Sequence, residues 1–195
     1  VDPNLGVNSV ADLIALLKRD PNKRTFASSG AGTSTHLAGE LFSSMIGVPL
    51  THVPYKGTPP AMVDVSSGAV TFMFDQMTAA LPLLQTGKLK LLAVTTKDRI
   101  SLAPEVPTMQ EAGVPGFQMA SWQAVYAPNG TPKPILDKLA QEIAVILKEP
   151  DVQEKLGKTM GMELVGSTPD ELRALMATEI PRWAEVVKTS GATVE

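Results

Sequence analysis

Apolar residues recur at helical spacing early in the chain, at Val10, Leu13, Ile14 and Leu17, behind Ser9, whose hydroxyl suits an N-cap. "RTFAS" then reads as a short strand. Leu37, Leu41 and Met45 repeat every four residues, so residues 35–46 read as a second helix. "LTHVPY" alternates as a strand does, and "PPAMVDVSSG" is a short helix with proline at its start and glycine after its end. "AVTFMF" and "LKLLAVTT" are apolar runs with β-branched residues and read as buried strands. Between them "MTAALPLLQTGK" reads as a helix closed by Gly87. Strands alternating with helices predict an α/β fold with a largely parallel sheet.

The texture changes after Thr96. "DRISLAPEVPTMQEAGVPG" is rich in proline and glycine and reads as loop with one helical turn at "TMQEAG". "FQMASWQAVYAP" is a long extended stretch, placed to cross between two parts of the molecule. In "TPKPILDKLAQEIAVILKEP" a helix presents Ile135, Leu139, Ile143 and Ile146 on one face. "DVQEKLGKTM" and "TPDELRALMATEIPRWAEVVKTSG" follow as helices, with "MELVG" as a short strand between them and Pro181 expected to kink or break the last one. A compact first part is thus joined to a helix-rich second part.

Composition narrows the function classes. With 195 residues, 44% hydrophobic and 19% charged, the chain can build one core or two small lobes sharing a hinge. A net charge of −3 and no long run of Lys and Arg argue against nucleic-acid binding. No stretch approaches membrane-spanning length, and "VDPNLGVNSV" lacks the charged and apolar regions of a signal peptide, as a mature secreted protein also does. The absence of cysteine excludes disulfides and thiolate metal sites, and His36 and His52 are the only histidines, so neither a metal nor a cofactor is expected.

The chemistry concentrates in "TFASSGAGTSTHLAGELF", where a strand runs through a glycine turn into a helix. A helix N-terminus offers unpaired N–H groups and the positive end of its dipole, so it takes an anion without a charged side chain. Gly30 and Gly32 let the backbone curl closely around a ligand, and the N–H groups of residues 30–34, Ala31 among them, form the candidate seat. Ser28, Ser29, Thr33 and Ser34 add hydroxyls, and His36 sits in the first helical turn. The alternative is a hydroxyl-capped turn with no ligand. Three enzyme motifs fail on spacing. A dinucleotide fingerprint needs glycine at position 35, which is Thr35, and a P-loop needs a lysine the loop lacks. "GTSTH" nearly spells a nucleophile elbow, but His36 occupies the last glycine position. His36 with Glu40 reads as a helix-face hydrogen bond, and no catalytic residue is expected.

Six stretches in order carry a family resemblance: "SSGAGTSTHLAGELF", "THVPYKGTPPAM", "FDQMTAALPLLQTGKLKLLAVTT", "PEVPTMQEAGVPGF", "SWQAVYAPNGTPKPILDKL" and "ELRALMATEIPRWAEVVKTSG". Together they cover essentially the whole chain, which resembles the substrate-binding proteins of tripartite tricarboxylate transporters, the Bug family. The resemblance implies a periplasmic solute-binding protein of the type II periplasmic fold, with two lobes joined by a hinge. Such a protein closes on a small carboxylate and delivers it to a membrane permease. It implies that the loop from Ser28 to His36 receives a ligand carboxylate, that Tyr55 and Lys56 match the family's "PYKG" turn, and that Asp75 matches its "FD" strand end. Both lie at carboxyl ends of strands, where α/β sheets place ligands. Tyr55 and Lys56 also fit a purely structural turn, and Asp75 also fits an N-cap for "MTAALP". An acid in a carboxylate site has to be protonated, or to meet an amine or hydroxyl of the ligand. Met77 and Trp122 read as core or hinge packing.

The family's opening segment, with a second glycine-rich loop, has no counterpart here. The resemblance therefore implies a complete second lobe at residues 1–117 and an incomplete first lobe at 118–195, with half of the cleft missing. Such a chain is expected either to associate with another copy across the exposed edge, with a swap about "FQMASWQAVY" as one route, or to retain the missing segment as a separate or cleaved piece. A ligand-sensing module of the same fold, signalling to a regulatory partner, is the alternative function. An acyl-transfer enzyme using Ser34 is a third.

Overall fold

The computed structural model describes residues 1–190. The chain divides into two compact units, Val1–Ser121 with the described residues from Glu185 on, and Trp122–Ala184.

The first unit begins with helix α1, Val10–Arg19, which buries Val10, Leu13 and Leu17 as its spacing requires. Ser9 Oγ accepts from Asp12 N, while Asp12 Oδ2 reaches back to accept from Asn8 N, one residue before the cap, so two side-chain bonds close the helix start. Strands β1 (Thr25–Ser28), β2 (Thr51–Pro54) and β3 (Phe72–Met73) form a parallel sheet in the order β2-β1-β3. Helix α2, Ser34–Ile46, makes the crossover from β1 to β2, and α3, Thr58–Ser66, the crossover from β2 to β3. The two crossovers run in opposite directions along the sheet, so their common handedness puts α2 and α3 on opposite faces. Helix α4, Met77–Gln85, follows β3 and ends just before Gly87, whose φ is +67°. The expected α/β class with a parallel sheet is borne out.

Each face of β1 has its own core, because successive strand residues point to opposite sides. Ala27 packs with Ala61, Met62 and Val65 of α3 and with Val70 and Leu89. Phe26 faces the other way, toward α2, where its ring lies 6.0 Å from Phe72. Phe42 of α2 meets Phe72, Phe74 and Phe117 edge-on. The sheet is therefore clamped from both sides, and its carboxyl edge is held where the loops begin.

Two expected strands are shorter or absent. β3 occupies only two residues of "AVTFMF". "LKLLAVTT" is extended but contributes a single bridge, Val94 to Thr108. Its backbone groups are taken by other segments: Lys90 N donates to Val1 O, Val94 N donates to Pro107 O, and Val94 O accepts from Met109 N. Met119 N also donates to Thr95 O, so separate tertiary partners replaced a ladder.

The second unit is helical. It contains α5 (Lys133–Ile146), α6 (Pro150–Val152) leading into a π-helical turn at Gln153–Thr159, and most of α7 (Pro169–Ser190). α7 runs through Pro181 as one element, where a kink or break was expected. "MELVG" forms no strand, and "FQMASWQAVYAP" carries no sheet pairing. Ile135, Leu139 and Ile146 keep the expected helical face but remain exposed, and so does Trp122, which was expected to pack.

Candidate functional site

The order β2-β1-β3 makes the carboxyl end of β1 a topological switch point, because the chain leaves it toward β2 on one side and returns to β3 on the other. Three loops meet there. Tyr55 N donates to Ser28 O and Gly57 N to Ser29 O, both at 3.1 Å, so the "PYKG" turn is zipped onto the glycine loop. Thr58 Oγ1 donates to Asp75 Oδ1 at 3.3 Å, tying the same turn to the end of β3. The stretches around Ser28, Tyr55 and Asp75, far apart in sequence, are thereby linked.

Within the glycine loop the hydroxyl protons can be assigned one after another. Thr33 Oγ1 lies 2.7 Å from Gly30 O, which can only accept, so Thr33 spends its proton there. The 2.9 Å contact between Thr33 and Thr35 then needs the proton of Thr35. The 3.0 Å contact between Ser29 Oγ and Thr35 Oγ1 in turn needs the proton of Ser29. Thr35 Oγ1 also accepts from Ser29 N at 2.9 Å. Ser28, fully buried, accepts from Gly30 N at 3.1 Å and touches His52 Nε2 at 2.6 Å. Ser34 is the one hydroxyl of residues 28–35 without a partner among the described residues.

The backbone donors sort in the same way. Gly30 N is turned to Ser28 Oγ, Gly32 N to His36 Nδ1 at 3.0 Å, and Thr33 N to Gly30 O at 3.4 Å. At the start of α2, Thr33 Oγ1 receives His36 N and Thr33 O receives Leu37 N. The N–H groups of Ala31, Ser34 and Thr35 have no partner among the described residues. Three open N–H groups and one open hydroxyl are donors of the kind an oxyanion accepts from. The loop depends on glycine twice: φ is +142° at Gly30, where a Cβ would stand 3.5 Å from Tyr55 O, and +73° at Gly32.

The other expected residues fall into different environments. His36 is buried beneath the loop, with Nδ1 accepting from Gly32 and Nε2 lying 3.4 Å from Glu40 Oε1, the helix-face pair expected from spacing. Its ring stacks on His52 with centroids 3.7 Å apart and planes 10° apart. Burial first, and the neighbouring His36 second, push the pKa of His52 down to about 4. The Tyr55 hydroxyl donates to Asp64 Oδ2 at 2.6 Å, and burial, with that bond and the Asp64 charge, pushes its pKa up to about 12. Lys56 is exposed and unpaired among the described residues. Asp75 is not the N-cap of α4, since Gln76 holds that position. Instead Asp75 Oδ1 accepts from Gln76 N and Thr58 Oγ1, while the buried Oδ2 has no partner among the described residues. Burial raises its pKa above the usual carboxylate value, against the opposing pull of those two bonds.

Thr35 and His52 were missed by sequence reasoning. The T-S-T spacing held a signal for Thr35, since residues two apart at a helix start can share hydroxyls. His52 gave none, because its partners Ser28 and His36 are set by the strand register that pairs Phe26 with His52.

The arrangement can hold an anion, and it offers Ser34 no base: no hydrogen bond reaches its hydroxyl among the described residues, and His36 Nδ1 is taken by Gly32. Among the described residues no three His, Cys, Asp or Glu side chains cluster as metal ligands, and no helix is long and apolar enough to cross a membrane.

Residues 1–192 match the family described as the tripartite tricarboxylate transporter family receptor. Protein BugT of Bordetella pertussis is 38% identical over 194 residues, which is 100% of this chain and 59% of that protein. Among solved structures, R. palustris Rpa4515 with adipate superposes with a TM-score of 0.89 at 40% identity, over 99% of this chain and 64% of that one. MatC of Rhodopseudomonas palustris with bound malate gives 0.77 at 32%, over 92% and 62%. The chain thus spans under two thirds of the length of each of these three relatives.

Proposed function

Because the chain belongs to the tripartite tricarboxylate transporter family of receptors, we propose that it is the ligand-seating part of a periplasmic solute-binding protein. It captures a small mono-, di- or tricarboxylate and hands it to the permease subunits of a membrane transporter; it binds and does no chemistry. One observation carries this reading. At the switch point of the sheet the N–H groups of Ala31, Ser34 and Thr35 and the Ser34 hydroxyl are left without partners among the described residues. Each bond from such a donor to a carboxylate is charge-assisted and contributes about 1.5–3 kcal/mol. Ser28, Ser29, Gly30, Gly32 and Thr33 shape the seat. Lys56 adds positive potential at its rim, and Tyr55 supplies backbone and its contact to Asp64. Adipate and malate, the ligands of two relatives, fit a seat of this kind. Residues 1–117 act as one ligand-binding lobe and 118–195 as part of the other.

Asp75 would repel such a ligand if ionised, and its burial works against that. A raised carboxyl contributes stability that is full below the ordinary acid range, near pH 4, and is lost as pH rises through its folded value. Asp75→Asn keeps an oxygen for Thr58 and Gln76 and removes the charge. The variant is expected to raise the thermal midpoint at pH 7.5, with the gain shrinking toward pH 4. A gain that is the same at both pH values would show that the charge is not the cause.

Native mass spectrometry of protein purified without refolding tests the function. Ions heavier than the chain by one small carboxylic acid, exchangeable with added adipate, are expected. Ions that stay ligand-free with millimolar adipate, malate and citrate overturn the reading.

A further inference from the structure

The two glycines that shape the anion loop are each tied to one member of the stacked histidine pair. Gly32 N donates directly to His36 Nδ1 at 3.0 Å. Gly30 N donates to Ser28 Oγ at 3.1 Å, and that oxygen lies 2.6 Å from His52 Nε2. The two rings stack at 3.7 Å, and Phe26 lies 5.0 Å from His52 on the inner side.

The proton inventory makes this arrangement sensitive to charge. Since Gly32 N–H donates to Nδ1 of His36, that nitrogen is bare and the ring proton sits on Nε2, facing Glu40. A second proton can enter His36 only at Nδ1, where it meets the Gly32 N–H head-on and breaks the bond. His52 stays neutral, since burial and the neighbouring His36 push its pKa down to about 4, so of the two stacked rings it is not the one that takes up the proton. Among the described residues Glu40 on α2 is the titratable group paired with His36, beside the two histidines themselves. β1 contributes Phe26 and Ser28, neither of which titrates in this range.

We propose that His36 and His52 are the positioning residues of the anion loop: unprotonated, they hold it in its carboxylate-ready shape through Gly32 and Ser28, and a proton taken up at His36 Nδ1 releases it. The device sits under the seat rather than in it, so affinity is governed from below. It rests on the loop being the carboxylate seat.

The ligand-free chain gives the first test. In ¹⁵N NMR at pH 7.5, two-bond ¹⁵N–¹H correlations of His36 are expected to show the Nε2–H form. The Gly32 amide signal should move together with the His36 ring as pH is lowered to 5.5. A ring carrying its proton on Nδ1 at pH 7.5, or a Gly32 amide unmoved while the ring titrates, overturns the proposal. The second test is adipate affinity at the same two pH values. The chain is expected to lose tenfold or more. In His36→Asn, whose amide oxygen takes the place of Nδ1 and can accept from Gly32 but cannot titrate, the ratio between the two pH values should flatten to about threefold or less, whatever its absolute affinity. An unchanged ratio also overturns the proposal. Coupled Gly32 and His36 titration without adipate binding at either pH would instead uphold the latch and sink the carboxylate reading.

Discussion

Gly39→Ala is expected to unfold the first unit, although alanine is the better helix former by about 1 kcal/mol. Gly39 lies in the middle of α2, directly over the central strand. A Cβ built there stands 2.1, 2.3 and 2.7 Å from three ring carbons of Phe26. The ring has nowhere to go. It is fully buried, with His52 stacked at 5.0 Å and Phe72 at 6.0 Å, and its backbone lies in β1 between β2 and β3. Relief requires moving α2 off the sheet, which opens the aromatic cluster around Phe42 and shifts the loop at the helix start. Overpacking of this severity costs about 3 kcal/mol or more, which outweighs the propensity gain. Urea denaturation followed by near-ultraviolet circular dichroism measures it. The double variant Phe26→Leu/Gly39→Ala should recover part of the loss, since the smaller side chain vacates the ring positions. A single variant as stable as the parent would mean that α2 does not sit where it is described.

Gly32→Val is expected to abolish carboxylate binding, while Ser34→Ala only weakens it. At φ +73° a β-branched side chain is strained, so valine drives the backbone into another region and turns the neighbouring N–H groups out of the seat. Losing the aim of several donors at once should cost more than about 100-fold in affinity, close to 3 kcal/mol. Ser34→Ala removes one hydroxyl donor and leaves the backbone in place, for about 1.5 kcal/mol, or roughly tenfold. Calorimetric titration with adipate separates the two. Equal losses would assign the binding to side chains rather than to the backbone path.

Much of the first unit was legible because its signals are local. The Ser9 cap, the period of α1, the proline-led start of α3 and the glycine turn each depend on residues within a few positions of one another; α2 was legible as a helix, but it buries Thr35, His36, Ala38, Gly39 and Phe42 and leaves Met45 of the expected Leu37, Leu41 and Met45 stripe exposed. Thr25–Ser28 and Thr51–Pro54 were legible as strands for the same reason. The stretch from Leu89 to Thr96 was not, since apolar β-branched runs say that a segment is buried but not which backbone groups it meets. Val1, Pro107 and Met109 took those groups. The π-helical turn at Gln153–Thr159 left no mark distinguishable from α-helix. In the site, the glycine positions and the hydroxyl richness were legible. The assignment of each proton was not. That Gly30 and Gly32 turn their own N–H groups inward, leaving Ala31, Ser34 and Thr35 open, follows from contacts with Ser28 and His36 that only the folded chain defines.

The central claim is that a carboxylate is held by backbone donors at the end of β1. A ¹H–¹⁵N correlation titration of the full chain at pH 7.5 with adipate, and with adipamide as the uncharged control, tests it most directly. Saturable shifts largest at the amides of Ala31, Ser34 and Thr35, seen with adipate and not with adipamide, are the expected result. Saturable shifts centred elsewhere in the chain, with those three amides still, would contradict it.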